Sequence, residues 1–550
     1  MTILSHGHLW SLQLLERCRD SGVKTICIAP GSRSTCLVKA ASDIPSIKIM
    51  THYDERSLGF FALGMAKYDR VPVVVITTSG SAVANLVPSA TEAHALHIPI
   101  IYITADRPPE LQGCGANQTI EQLPLLTHLV QKQVSLLVTD DDQKFQQFVK
   151  TIHNTITKDI TDPIHINMAF REPFLSTKIT SLTKPLALSK IKIKQHHDSD
   201  TVDHIKNLKQ KIQNQSIKNQ AVLCVVSNTV KPLDYKKLLL WSHTYHIPIV
   251  SECSSSIPWN EPVIRQVDSF VKKLDNKSKL PAYIICLGAK WISKSLQVLL
   301  ANHTNIMLIH DFSITQNWLS LPCLEIMNQT IDLTDILPTQ QANKSYFEMC
   351  FQLATEIKKE EQQKNKPSND FSEVTCLKAL KPLMEKMTTI FLGNSLTVRH
   401  VNNHLDIQAK PIKTMTQRGV SGIDGLVSTT AGIAVQESQQ TMGIIGDISF
   451  FYDVGGLSLL RYAKNPVILV VINNKGGQIF NTLAINKDPI CNPLFVMPQP
   501  IKIQAIATAY CIDYIKVTSV KELKNIKLTN ANNKTSYQKS CIIECCINEL

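Results

Sequence analysis

No apolar run in this chain of 550 residues approaches the ~20 residues that a membrane-spanning helix needs, so no span is expected. The start, Met1-Thr-Ile-Leu-Ser, lacks the basic residues, apolar stretch and small-residue cleavage site of a secretory signal, which makes a cytoplasmic location the default expectation. The fifteen cysteines include no C-x-x-C pair, and the one tight cluster is Cys541, Cys545 and Cys546. A disulfide framework or a zinc site would need paired spacings. Small buried thiols in a reducing compartment are expected instead. Net charge is +12, yet the lysines are dispersed, and even Lys-Ile-Lys-Ile-Lys-Gln-His-His at 190–197 lacks a nucleic-acid-binding motif around it. A lysine-rich solvated surface, with no nucleic-acid partner, is the expectation. Its positive potential would attract small anions.

What is present is an alternation of buried strands and helices. Segments 23–30, 71–78, 98–109 and 162–170 are β-branched runs that do not alternate polar and apolar. Such runs mark strands covered on both faces, as in a parallel sheet with helices on each side. A polar stretch at 176–200 reads as a linker. The pattern restarts at 221–228, 247–253, 282–289 and 305–312, and again, after a charged stretch at 358–370, at 388–395, 441–447, 465–474 and 539–547. The fold class expected is α/β, with three doubly wound parallel-sheet domains at 1–182, 183–343 and 344–550.

Two strand ends in the last domain carry chemistry. One apolar run finishes on Gly446-Asp447, and the next finishes on Asn473-Asn474-Lys475-Gly476-Gly477. Ligands of open α/β sheets bind at the carboxyl edge of the strands. A carboxylate, an amide oxygen and a backbone carbonyl near Gly476 form an oxygen set for a divalent cation that leaves positions for phosphate oxygens and water. Ordinary turn chemistry explains either sequence taken alone. Their pairing behind two buried strands favours the cation.

Gly-Asp followed by Asn-Asn resembles the thiamine diphosphate motif, with Ile448 where glycine is usual. Four further segments widen the resemblance: 27–37 (CIAPGSRSTCL), 51–67 (THYDERSLGFFALGMAK), 77–89 (TTSGSAVANLVPS) and 103–122 (ITADRPPELQGCGANQTIEQ). Together with 391–399, 417–432, 446–461 and 473–480 they are similar to the family of 2-succinyl-5-enolpyruvyl-6-hydroxy-3-cyclohexene-1-carboxylate synthases of menaquinone biosynthesis. The resemblance implies a thiamine diphosphate-binding fold, with Mg2+ or Mn2+ held by Asp447, Asn474 and Gly476. It also implies the reaction: 2-oxoglutarate is decarboxylated and its remaining skeleton is joined to isochorismate.

Residue roles follow by the same resemblance. Glu55 is the catalytic carboxylate on the aminopyrimidine ring of the cofactor, where it favours the imino tautomer that takes the C2 proton. Ile423, Gly446, Ser449, Ile479 and Phe480 join the metal ligands around the cofactor, Ile423 bending it. Ser32, Arg33, Arg107, Asn117 and Gln118 face isochorismate, and Lys294 is a basic substrate contact. Ser395, Arg399 and Arg418 take substrate carboxylates, for which guanidinium forks are suited. Ser395 and Arg399, four apart, are expected to point the same way from one helix. Departures are Ser295 where arginine often follows the lysine, and Cys36 where proline is usual. A homodimer or homotetramer with shared active sites is implied. Two rivals are another thiamine diphosphate 2-oxo acid carboligase or decarboxylase, such as an acetolactate synthase, and a non-catalytic anion-binding descendant.

Overall fold

The computed structural model describes residues 5–174, 210, 216–276, 278–312, 316, 323–327, 332–364, 371–407, 411–526 and 539–547. The expected linker at 176–200 lies outside them. Three sheets carry the fold. The first contains β1 (Thr25–Ile28), β2 (Lys48–Thr51), β3 (Val73–Thr77), β4 (Ile100–Asp106), β5 (Lys132–Leu137) and β6 (Ile164–Ala169), in the order β2-β1-β3-β4-β6-β5. Every neighbouring pair is parallel. The second contains β7 (Val222–Val226), β8 (Ile249–Ser251), β9 (Tyr283–Leu287), β10 (Ile306–His310) and β11 (Cys323–Met327), in the order β11-β10-β9-β7-β8, also parallel.

The third sheet contains β12 (Thr389–Leu392), β13 (Lys413–Thr416), β14 (Thr441–Gly446), β15 (Ile468–Asn473), β16 (Asp513–Val517) and β17 (Cys541–Cys546). Its order, β13-β12-β14-β15-β17-β16, repeats that of the first sheet strand for strand. In both, the order reverses beside the first strand of the sheet, between β1 and β3 and between β12 and β14. Such a reversal opens a crevice at the carboxyl ends of the strands.

By contacts the chain forms two units. One comprises 1–179, 369–397 and 415–550, and the other 180–368 and 398–414. The helix Lys344–Lys364 belongs to the second unit, where Tyr346, Cys350, Leu353 and Ile357 join the core of β7, β9 and β10. Within the first unit the Glu55–Asp69 helix packs on the Leu426–Gln436 helix. Both are buried nearly all round. Backbones approach so closely that a Cβ at Gly64 would stand 2.2 Å from the Thr429 oxygen, and one at Gly432 would stand 2.1 Å from the Phe61 oxygen. All fifteen cysteines carry free thiols. No helix among the described residues is long and apolar enough to cross a membrane.

Candidate active site

A cavity of about 360 Å³ opens at the reversal point of the third sheet. The segments that follow β12, β14 and β15 supply Asn394, Ser395, Asp447 and Asn474, and Ile423, Gly446, Ser449, Gly476, Ile479 and Phe480 are also part of its lining. Asp447 is buried, at 2 % exposure. Burial pushes its carboxyl up to about 6, against hydrogen bonds from the Ile448 and Gly476 amides that pull it down. The Gly476 amide donates to Asp447 Oδ2 at 2.7 Å. Gly476 has φ 124°, and a Cβ there would lie 2.2 Å from the Val496 oxygen. Only glycine fits that turn.

Asn474 supplies the second oxygen. Its Nδ2 donates to Glu373 Oε1 at 2.6 Å, and its Oδ1 is buried without a hydrogen-bond partner. A buried amide oxygen left unpaired is costly unless something else satisfies it. Next to a buried carboxylate, an oxygen-seeking hard cation is the group that would satisfy it. Phosphate oxygens would then complete the shell. The donor set therefore fits a divalent cation carrying a diphosphate.

The loop bearing Arg418 and Ile423 is fixed from several directions. Asn394 Nδ2 donates to the Gln417 and Gly422 carbonyls, each at 2.6 Å. Arg418 Nη1 donates to Asn394 Oδ1 at 3.3 Å. Glu92, only 1 % exposed, accepts from the Gly419 and Val420 amides, each at 2.8 Å. Lys67 Nζ donates to the Thr416 carbonyl. Glu373, Asn394, Gln417, Glu92 and Lys67 were not among the residues singled out from sequence. The capping pattern at Ser372 signals a helix start but not a link to a residue 101 positions away.

In the first sheet the equivalent crevice collects cationic and amide groups. Arg33 and Arg107 follow β1 and β4, and Ser79 and Gly80 follow β3. Arg107 Nη1 donates to Ser79 Oγ. Gln118, exposed with φ 57°, donates from Nε2 to the Ser79 carbonyl at 2.9 Å. Burial, with the neighbouring Arg33 guanidinium, pulls Arg107 below its ordinary value. Arg33 donates to the Phe170 carbonyl at 3.1 Å, pairs with Glu172 at 3.3 Å and lies over Phe174. Ser32 and Asn117 are exposed on the same loops. Beneath them Asn167, Gln122 and Asp106 form a buried network: Asn167 Nδ2 donates to Asp106 Oδ2, and Gln122 Nε2 donates to Asn167 Oδ1, both at 2.8 Å.

Glu55 opens its helix, half-buried, behind the Asp54 N-cap. Burial raises its carboxyl pKa, opposed by hydrogen bonds that include one from Asn85. It is not among the residues lining the Asp447 cavity. Ser395 departs from expectation. The helix begins at Leu396, and Ser395 precedes it with φ 67°, so the four-residue helical spacing to Arg399 does not set its direction. Arg399 lies in the second unit, as does Lys294. Lys294 is exposed at the first turn of the Lys294–Ala301 helix, where Ser293 caps Leu296 and Asp268 Oδ1 accepts from the Ser295 amide at 2.9 Å. Behind that turn the fully buried Glu252 accepts from the Ile292 and Ser293 amides.

Residues 11–129 match the family model described as the N-terminal TPP binding domain of thiamine pyrophosphate enzymes, and residues 397–544 match the C-terminal one. The chain thus carries both an N-terminal and a C-terminal TPP binding domain of the thiamine pyrophosphate enzyme kind. Its likeness to 2-succinyl-5-enolpyruvyl-6-hydroxy-3-cyclohexene-1-carboxylate synthases runs over nearly the whole of both chains. It is 28% identical to the synthase of Shewanella sp. (strain W3-18-1), over 98% of this chain and 94% of the relative. With that of Shewanella oneidensis it shares 28% over 98% and 95%. With that of Shewanella halifaxensis it shares 29% over 94% and 91%.

Proposed function

We propose that this enzyme is a 2-succinyl-5-enolpyruvyl-6-hydroxy-3-cyclohexene-1-carboxylate synthase that uses 2-oxoglutarate and isochorismate and acts in menaquinone biosynthesis. The observation that carries the reading is the Asp447–Asn474 cavity, set in a chain that matches these synthases end to end. Asp447 Oδ, Asn474 Oδ1 and the Gly476 carbonyl would hold Mg2+ or Mn2+, and the cation would hold the cofactor diphosphate. Thiamine diphosphate would supply, when bound, a carbon nucleophile for the keto group and a cationic thiazolium ring to take up the electron pair left as carbon dioxide departs.

The chain's own residues do the rest. Glu55 holds a proton relay to the aminopyrimidine ring, and its raised pKa suits a carboxyl that must bond a ring nitrogen. Ile423, Ile479 and Phe480 provide an apolar wall that orients the cofactor and excludes water. Arg33, Arg107, Ser32, Asn117 and Gln118 bind isochorismate. Lys294, Ser395, Arg399 and Arg418 bind substrate carboxylates. Each substrate carries two carboxylates, which matches a first domain that presents two guanidiniums side by side. The functional form is a homodimer or a dimer of dimers, a reading supported by the absence of Glu55 from the residues lining the Asp447 cavity of its own chain. Free thiols throughout suit the cytoplasm.

Incubation with thiamine diphosphate, Mg2+, 2-oxoglutarate and isochorismate should consume isochorismate and release one carbon dioxide per turnover. Turnover of pyruvate in place of 2-oxoglutarate would instead identify a carboligase or decarboxylase of small 2-oxo acids.

A further inference from the structure

Asn474 can serve as a metal ligand only if its amide oxygen faces the cavity. The two ends of an asparagine amide are nearly identical in shape, and what chooses between them is the hydrogen-bond partner at each end. The partner here is a carboxylate. Glu373 is the first residue of the Glu373–Met384 helix, fixed by the Ser372–Thr375 capping box, and it lines the same cavity as Asp447. Its Oε1 accepts from Asn474 Nδ2 at 2.6 Å, while Asn474 Oδ1 is buried with no hydrogen-bond partner in the protein.

The main chain of the loop is pinned separately. Gln478 Nε2 donates to the Asn474 carbonyl at 2.9 Å, and the Gly476 amide donates to Asp447. These bonds set where the loop lies, but none acts on rotation of the Asn474 amide. We infer that Glu373 is a positioning residue for the cation: its carboxylate holds the Asn474 NH2 group and thereby aims Oδ1 at the metal position. The inference rests on the metal reading proposed above and adds a residue to it.

An amide turned the other way would present two N–H groups to the cation and oppose its binding. Outer partners that orient a metal ligand in this manner are worth about 10–100-fold in metal affinity.

The test is Mn2+ binding to the full chain with thiamine diphosphate, followed by the loss of the free-ion electron paramagnetic resonance signal. Folding is checked by circular dichroism. Glu373→Ala should weaken Mn2+ binding about 10–100-fold. Glu373→Gln retains an acceptor oxygen for the Asn474 NH2 group and should recover most of that loss. In an Asn474→Ala background, Glu373→Ala should change the affinity by less than about twofold, as expected when one residue acts only through another. Wild-type affinity in Glu373→Ala overturns the inference. So does an equal loss in the Asn474→Ala background, which would make Glu373 a direct ligand. Absence of Mn2+ binding in the wild-type chain would sink the metal reading itself, and this inference with it.

Discussion

At the scale of single residues, the buried side-chain oxygens divide by what satisfies them. Asn474 Oδ1 has no hydrogen-bond partner in the protein, whereas the carboxylate of Asp453 is satisfied within it. Asp453 is fully buried and accepts from the Ser428 amide at 2.7 Å, Ser428 Oγ at 2.9 Å and Ser57 Oγ at 3.0 Å. Burial nonetheless pushes its carboxyl up to about 6. The native state therefore keeps a proton that the unfolded chain releases near pH 4. Stability from this group is full below that point and is lost as pH rises through about 6. In Asp453→Asn this limb should vanish. The urea unfolding free energy of wild type minus variant should fall by on the order of 2 kcal/mol between pH 4 and pH 7. An unchanged difference would mean that Asp453 ionises as freely in the fold as outside it. The same scale shows what sequence reveals. Asp447 and Asn474 stood out because each ends an apolar run, which is local information. Glu92 and Glu373 are single acidic residues on helices, and only the folded chain brings them against positions 327 and 101 residues away.

Among elements, the strands that the sequence announces are the covered ones. β1, β3, β4, β6, β7, β9, β10, β12, β14, β15 and β17 lie inside their sheets, and most read as continuous apolar runs. The five that were not anticipated, β2, β5, β11, β13 and β16, all lie at sheet edges. Their residues are mostly half-buried or exposed, as in Lys132–Leu137 and Asp513–Val517, so the apolar signal is diluted. β8 is an edge strand that does read clearly, and its three residues are all buried. Helix contacts obey a different rule. The Glu55–Asp69 and Leu426–Gln436 helices meet through Gly64 and Gly432, backbone against backbone. Glycine to alanine in a helix interior ordinarily gains stability, by about 0.5–1 kcal/mol. Here the added methyl meets a carbonyl oxygen that cannot yield like a side chain. Gly432→Ala should therefore lose about 1–3 kcal/mol in denaturant unfolding. A gain would show that the two helices separate more readily than their packing implies.

For the whole molecule, the first and third sheets have one topology and two chemistries. At the same reversal point one crevice gathers guanidiniums and the other gathers the Asp447 carboxylate and the Asn474 amide. The Glu92 and Lys67 contacts tie the first-sheet domain to the Arg418 loop within one chain. Yet Glu55 does not line the Asp447 cavity, and the proposed grip on both ends of the cofactor would need the two together. If a second copy supplies Glu55, the requirement is met by a twofold axis, the commonest symmetry of soluble oligomers. Mixing inactive variants decides the matter. Glu55→Gln and Asp447→Asn should each abolish turnover of 2-oxoglutarate with isochorismate. In a mixed dimer, however, one site would pair the intact Glu55 of one copy with the intact Asp447 of the other. The second site would carry both substitutions. Unfolding and refolding the two variants together in equal amounts should restore about a quarter of wild-type activity, because half the dimers are mixed and each has one intact site. Sites contained within a single chain would regain nothing, since every chain in the mixture carries a damaged residue.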